Sequence, residues 1–205
     1  MSYYSQHQYA QNYEYDSFHY SLFFEKGQRI LDIGCSTGNF LAQDPKHIIG
    51  LDSDADAVAI ARKRGLRALR HDITKKLPFK ATSLDNVHCK HVLEHLDNPL
   101  PFLRDIFRVL KNNGRLVLVT DCMTPHFWDD YTHKRPFTEI SLGRLAWDAG
   151  FRKCTIYRFP MRGVFGTGIL FRHKLISPEA ALRIYRAYAA IVNGGSLVLD
   201  VKKKR

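Results

Sequence analysis

The sequence predicts an α/β fold, and two observations in the first third of the chain support that prediction. The apolar stretch Ile30–Ile33 leads into a turn that contains Gly34 and Gly38, the order expected of a buried strand, a tight turn and the start of a helix. A second apolar stretch, 47–51, ends at Asp52. Asp52 follows Asp32 by about 20 residues, the spacing at which an acidic residue binds ribose hydroxyls in nucleotide-binding α/β folds.

Further strand-like and helix-like segments alternate along the chain, as an α/β fold requires. Proline at 45 ends a short helical piece over 39–43. An amphipathic helix is predicted from Phe102 to Lys111, ended by Asn112–Gly114. Ser177 and Pro178 provide the cap and first residue of another helix. The other predicted helices span 55–64 and 138–150, and the other predicted strands span 67–71, 85–89, 115–120, 154–159 and 196–201.

Composition narrows the class of protein. A chain of 205 residues with 45% hydrophobic residues fits one globular domain. It contains no membrane-length apolar run and no secretion signal at its start. Its four cysteines form no paired or zinc-like motif, so we expect reduced thiols and a cytoplasmic location. The net charge of +11 is compatible with a nucleic-acid partner or with scattered solvated charges.

The glycine turn excludes two common nucleotide ligands. A dinucleotide fingerprint needs glycine at positions 36 and 39, where this chain has Ser36 and Asn39. The phosphate-loop signature that ends in Gly-Lys-Ser or Gly-Lys-Thr is also missing from the sequence. The expected ligand therefore has a ribose but no phosphate chain.

Five segments in this order resemble the class I S-adenosylmethionine (SAM)-dependent methyltransferases of the type-11 group. They are ILDIGCSTGNF, IIGLDSD, RHDI, LDNVHCKHVLEHLDNP and VLKNNGRLVLV. The resemblance covers roughly residues 28–150 and departs from the family at Ser36, where many members have glycine, and in a slightly short first helix region. It implies a Rossmann-like, seven-stranded, mostly parallel sheet with helices on both faces and an antiparallel last strand. We expect a single domain over 1–205.

The same resemblance implies roles for individual residues, with SAM as the cofactor. The glycine turn faces the methionine part, the acids after the second and third strands meet ribose and adenine, and the end of the fourth strand borders the reaction centre. The implied cofactor-binding residues are Asp32, Gly34, Cys35, Gly38, Asp52, Ser53, Asp72, Ile73, Cys89 and Lys90.

Three segments are expected to form the acceptor side. These are an aromatic-rich lid over 1–24, a long loop over 122–137 and a glycine-punctuated insertion over 161–195. A loop of that length in a compact domain is usually functional or disordered, and the aromatic residues of 122–137 argue against disorder. Histidine has a pKa suited to a general base, and the candidate catalytic residues are His91, His126 and His133.

The string His91-Val-Leu-Glu94-His95 also has the form of an inverted zinc-protease signature. Zinc chemistry would need a further ligand, and the string directly follows a predicted strand. We therefore predict no metal, and interpret Glu94 and His95 as residues that make local hydrogen bonds.

The expected activity is methyl transfer to a small-molecule, lipid or saccharide acceptor. Two alternatives stay open: an RNA methyltransferase that uses the basic surface, and a non-catalytic SAM-binding scaffold. No membrane span is expected, and the sequence leaves the oligomeric state and the acceptor atom open.

Overall fold

The computed structural model describes residues 13–159, 167–192 and 195–204. Within these ranges seven strands form one sheet, in the order β3-β2-β1-β4-β5-β7-β6. The strands are β1 (Ile30–Ile33), β2 (Ile48–Asp52), β3 (Ala68–Arg70), β4 (Leu84–Lys90), β5 (Leu110–Asp121), β6 (Thr155–Phe159) and β7 (Ser196–Lys202). β7 lies antiparallel between β5 and β6, while the pairs from β3 through to β5 are parallel. The predicted seven-stranded sheet with an antiparallel last strand is confirmed.

Helices cover both faces of the sheet, as predicted. They are α1 (Tyr13–Phe23), α2 (Ala55–Lys63), α3 (Pro99–Val109), α4 (Glu139–Asp148), α5 (Thr167–Arg172) and α6 (Pro178–Val192), with short 3₁₀ turns at Leu41–Gln43, Leu93–His95 and Pro125–Asp129. The buried side chains of the sheet enter two apolar clusters, and the central strands β1 and β5 contribute to both. One cluster contains residues of α3 and α4, and the other contains residues of α1, α2 and α6.

The strand order creates a crevice at the middle of the sheet. β1 pairs with β2 on one side and with β4 on the other, so the chain returns from the β3 edge to the centre when it enters β4. Open α/β sheets bind ligands at the carboxyl ends of the strands where this reversal occurs. In this chain those ends lead directly into Gly34 and His91.

The predicted boundary between the third helix and the fifth strand is wrong. α3 ends at Val109, and β5 begins at Leu110 instead of at Arg115. Leu110 is fully buried and pairs with Leu84 on β4, so its apolar side chain belongs to the sheet although it fits the helical spacing of the preceding residues. Asn113, at φ +65°, accommodates the extra residues of β5 opposite a register shift in β4.

The acceptor-side segments are described only in part. Residues 1–12 of the predicted lid, and 161–166 and 193–194 of the predicted insertion, lie outside the described residues. The rest of the lid segment includes α1, whose Phe18 and Phe23 are buried in the core. Among the described helices, none has the length and apolar character needed to cross a membrane.

Candidate active site

The turn after β1 depends on glycine at two positions. Gly34 has φ +77°, and a Cβ there would lie 2.4 Å from Cγ2 of Val92. Gly38 has φ +91°, and a Cβ there would lie 2.6 Å from Cδ1 of Leu66. Ser36, the departure from the family pattern, adopts φ +46° in the region that non-glycine residues rarely occupy. The backbone of this turn is therefore held close to its neighbours and open to a ligand.

Asp52 links this turn to the end of β2. Its Oδ2 accepts a hydrogen bond from the Ser36 N–H at 2.8 Å, and its Oδ1 accepts one from the Asp54 N–H at 2.9 Å. Burial raises the pKa of Asp52 above its usual value, although these two N–H groups favour the ionised form. A carboxylate has about four acceptor sites, so two remain for the hydroxyls of a ribose. The residue fits the role that the sequence predicts for it.

The predicted adenine end lies after β3 and is more open. Oδ1 of Asp72 accepts hydrogen bonds from the N–H and the hydroxyl of Thr74, at 3.0 and 2.7 Å. These bonds to Thr74 lower the pKa of Asp72. Ile73 is half-buried and packs against the core, and Ser53 is exposed. Oδ2 of Asp72 lies 4.0 Å from Nζ of Lys75, which is too long for a hydrogen bond, so this oxygen is left to accept one from an amino group.

Four of the predicted cofactor-binding side chains are occupied by other contacts. Oδ1 of Asp32 lies 2.7 Å from Nδ1 of His88 in a buried pair. The side chains of Cys35 and Cys89 are buried in the two core clusters, and burial raises the pKa of both thiols. Lys90 forms an ion pair with Asp16 of α1. Because the side chains of Cys35 and Cys89 are buried in the core, only the main-chain atoms of these residues are left to border a cofactor.

The carboxyl ends of β4 and β5 bring His91 between two acids. Nδ1 of His91 lies 3.1 Å from Oε1 of Glu94 and 3.2 Å from Oδ1 of Asp121. Desolvation of the ring disfavours its charged form, but hydrogen bonds to Asp121 and Glu94 outweigh it and raise the pKa of His91 to about 9. The side chain is 38% exposed, so part of it borders solvent.

His133 approaches one of these acids, Asp121, from the loop over 122–137. Its Nε2 lies 3.9 Å from Oδ2 of Asp121 and 3.7 Å from Oδ2 of Asp130. His126 instead pairs with Asp129 at 3.1 Å and is 79% exposed. The structure therefore brings two of the three candidate catalytic histidines together at Asp121, and places the third on the surface.

Sequence reasoning missed the two acids that organise this cluster. Glu94 makes the local bond that was predicted for it, to His91, but its buried side chain also reaches across to β5. There it accepts a hydrogen bond from the Thr120 hydroxyl at 2.9 Å and one from the Asp121 N–H at 3.4 Å. Asp121 ends a central strand on the same edge as Asp32 and Asp52. The position at the end of a strand, which had identified Asp52, was the signal in the sequence that could have identified Asp121.

The chain is similar to known proteins across this region and beyond it. Residues 31–118 match the family model described as a methyltransferase domain. A probable S-adenosylmethionine-dependent methyltransferase of Mycolicibacterium smegmatis is 35% identical over 98 residues, or 46% of this chain and 38% of that protein. A ubiquinone biosynthesis O-methyltransferase of Xanthomonas oryzae is 32% identical over 108 residues, or 48% of this chain and 45% of that protein. The chain thus spans less than half the length of these curated relatives.

The whole fold also has a counterpart among solved structures. A SAM-dependent methyltransferase from Archaeoglobus fulgidus superposes with a TM-score of 0.71 at 22% identity, over 98% of this chain and 100% of that one. At this identity the likeness concerns the fold.

Proposed function

The chain belongs to the class I SAM-dependent methyltransferases, a family of enzymes with SAM as cofactor. We propose that it methylates an oxygen of a small-molecule, lipid or saccharide acceptor. The main support for SAM binding is the geometry of Asp52, whose carboxylate is fixed by two backbone N–H groups beside a glycine turn. Bound SAM supplies a reactive methyl group on a sulfonium sulfur. Alignment of that group with an acceptor is worth about 7–11 kcal/mol of the barrier.

We assign the acceptor side to the edge formed by β4 and β5. The pairing of Nδ1 of His91 with two carboxylates orients the ring as a general base is oriented by its acid partner. In this proposal the neutral form of His91, which becomes the major form only above its pKa of about 9, receives at Nε2 the proton that the acceptor oxygen loses as it takes the methyl group. The O-methyltransferase among the relatives supports oxygen as the acceptor atom.

The two alternatives have weaker support. The net charge of +11 favours an RNA acceptor. However, the end of β4 and the residue after it read His-Cys-Lys-His, which is not the Asp/Asn-Pro-Pro-aromatic motif of amino-methylating nucleic-acid enzymes. A non-catalytic scaffold would not require the polar cluster at His91. The cytoplasmic location expected from the sequence stays part of this proposal.

Asp52→Ala tests the cofactor assignment. Loss of hydrogen bonds to a charged group costs about 1.5–3 kcal/mol, so SAM binding measured by isothermal titration should weaken about 10- to 150-fold. Asp56→Ala is the matched control, because it removes an exposed acid four positions along the chain and should leave the affinity unchanged. Equal affinity of the Asp52→Ala protein and the wild type would contradict the ribose assignment.

The acceptor class requires a separate experiment. The wild-type protein, incubated with methyl-labelled SAM and fractionated cell extract, should label a fraction that contains small molecules, lipids or saccharides. Label in RNA would support the first alternative. SAM binding without label in any fraction would support the scaffold.

A further inference from the structure

A second group of potential ligands lies beside the His91 cluster. One donor atom from each of Glu94, His95 and His133 lies within 4.8 Å of the others. Glu94 and His95 belong to the 3₁₀ turn after β4, whereas His133 comes from the loop over 122–137. The rings of the two histidines meet edge to face, with their centroids 4.8 Å apart. The loop therefore brings a third ligand to the pair on the turn.

Each histidine is oriented through Nδ1, which leaves Nε2 as the coordinating atom. Nδ1 of His133 lies 2.7 Å from the carbonyl oxygen of Phe127, so Nδ1 must carry the proton. The hydroxyl of Thr132 donates to Asp130 and lies 2.9 Å from Nδ1 of His95, so it accepts the proton of that ring. Metal-binding histidines are oriented in this way by a carbonyl, carboxylate or similar acceptor on the second nitrogen.

The surroundings of His133 also favour a cation. Its Nε2 faces carboxylate oxygens of Asp121 and Asp130 at 3.9 and 3.7 Å, which is too long for a hydrogen bond. A lone pair on nitrogen and a carboxylate oxygen repel each other unless a positive charge lies between them. The ring is only 8% exposed, so little solvent is available to relieve that repulsion.

Glu94 is suited to complete the set. Its side chain is fully buried, and hydrogen bonds from Thr120 and the Asp121 N–H orient its carboxylate. Ligands of a tetrahedral zinc ion lie about 3.4 Å apart, given metal–ligand distances of 2.0–2.2 Å. The side chains therefore need to move by roughly an ångström to reach that geometry.

We propose that Glu94, His95 and His133 bind one divalent transition-metal ion of the Zn²⁺ type. Two imidazole nitrogens and one carboxylate suit zinc, iron or cobalt better than magnesium or calcium, which prefer oxygen ligands. The proposal departs from the sequence expectation of no metal. Its ligands also differ from those of the zinc-protease string, because Glu94 takes the place of His91 and the third ligand is His133, 38 residues beyond His95.

Three protein ligands leave a fourth position for water or for an acceptor oxygen. The ion would also join the loop over 122–137 to the 3₁₀ turn, beside existing hydrogen bonds such as that from the Lys134 N–H to the Glu94 carbonyl. The role toward an acceptor rests on the proposed function, but metal binding is measurable without it.

Metal binding is tested on chelator-treated wild-type protein. Titration with Zn²⁺ against a chromophoric chelator should give one equivalent per chain, and Co²⁺ should produce visible absorption bands of a low-coordinate site. His95→Ala and His133→Ala should each weaken Zn²⁺ binding at least about 100-fold. Thr132→Val keeps all three ligands and removes the acceptor on His95, so it should weaken binding about 10- to 100-fold.

His126→Ala is the matched control for metal binding, because it removes an exposed histidine from the same loop; it should bind Zn²⁺ as the wild type does. Circular dichroism of the metal-free variants separates loss of the site from loss of the fold, and if His133→Ala does not fold, His95→Ala and Thr132→Val decide the question. Wild type that binds no Zn²⁺, or variants that all bind it equally, would overturn the proposal. SAM titration on the same samples shows independently whether the cofactor site is intact.

Discussion

Gly34 is the residue at which the cofactor turn tolerates a side chain least. It combines a left-handed backbone with the 2.4 Å approach of its virtual Cβ to Val92. Gly65 has nearly the same backbone, φ +76°, but no atom within 4 Å of its virtual Cβ. The two positions therefore separate the cost of backbone conformation from the cost of close packing.

We predict that Gly65→Ala lowers the free energy of unfolding by about 1–2 kcal/mol, the cost of a left-handed alanine. Gly34→Ala should cost about 1–3 kcal/mol more, because the stiff Val92 side chain must move. Urea denaturation measures both, and SAM titration should show weaker binding for Gly34→Ala alone. Equal destabilisation by the two substitutions would show that Val92 relaxes at no cost.

Among single residues, those on the cofactor side of the site could be predicted from the sequence more completely than those on the acceptor side. Asp52 was found because it ends a strand whose apolar pattern is clear in the sequence, and Asp72 was assigned through the resemblance to the family. Glu94 makes the local bond that the sequence predicts, to His91, but its second partner Thr120 lies 26 residues away, and the approach of β5 to the turn after β4 is a property of the sheet. His133 could be singled out by residue type, but its proximity to Asp121 depends on how the loop folds back.

Asp44 provides a test of pH dependence at some distance from the site. Its buried carboxylate accepts hydrogen bonds from the Gly27 N–H at 2.8 Å and from the Tyr20 hydroxyl at 3.4 Å, and lies 2.9 Å from Nδ1 of His47. Burial opposes ionisation, but these bonds outweigh it, and the pKa of Asp44 is lowered below its usual 3.8.

The lowered pKa has a definite sign for stability. A carboxyl that is more acidic when folded stabilises the protein above its unfolded pKa, and that contribution disappears as the pH falls through the folded pKa. We predict that the Asp44→Asn protein is about 1–3 kcal/mol less stable near pH 7, and that the difference shrinks below about pH 4. Urea denaturation across this range measures it, with the exposed Asp56→Asn as control. A difference that does not change with pH would contradict the prediction.

At the scale of elements, α1 is part of the core although the sequence suggested a lid. Phe18 is 4% exposed and meets the rings of Phe159, Phe171 and Tyr185 at centroid distances of 5.9, 5.1 and 5.5 Å. The aromatic residues of the segment were visible in the sequence. What they pack against was not, because β6 and α6 lie more than 130 residues further along the chain.

We predict that Phe18→Ala lowers the free energy of unfolding by about 3–5 kcal/mol, as expected for removal of a buried phenylalanine. The control is Tyr188→Ala on α6, an aromatic residue that is 40% exposed and should cost much less. Urea denaturation compares them. A loss below 1 kcal/mol for Phe18→Ala would show that α1 is loosely attached and would favour the lid.

The boundary between α3 and β5 illustrates what local patterns cannot decide. Leu103, Ile106 and Leu110 follow helical spacing, and Asn112–Gly114 resembles a helix end. The structure instead turns at Leu110, because the buried position opposite Leu84 needs an apolar side chain. Leu110 would be buried either as the last turn of α3 or as the first residue of β5. The choice depends on the neighbouring strand β4, about which the local sequence carries no information.

At the scale of the whole molecule, the fold was predictable because its strands and acids recur in a fixed order, but net charge carries no such information. The 31 basic and 20 acidic residues give a positive field that attracts any polyanion. Binding of this kind releases counterions from the nucleic acid and depends steeply on salt, without regard to sequence. The RNA alternative would require preference for particular RNAs in addition to attraction.

We therefore predict that single-stranded RNAs of unrelated sequence bind with affinities within about threefold of one another, and that affinity falls about tenfold or more between 50 and 200 mM salt. Fluorescence anisotropy with labelled oligonucleotides measures both quantities. Incubation of the same RNAs with methyl-labelled SAM should transfer no label. Strong preference for one RNA that persists at 200 mM salt, together with its methylation, would overturn the small-molecule, lipid or saccharide assignment and establish RNA as the acceptor.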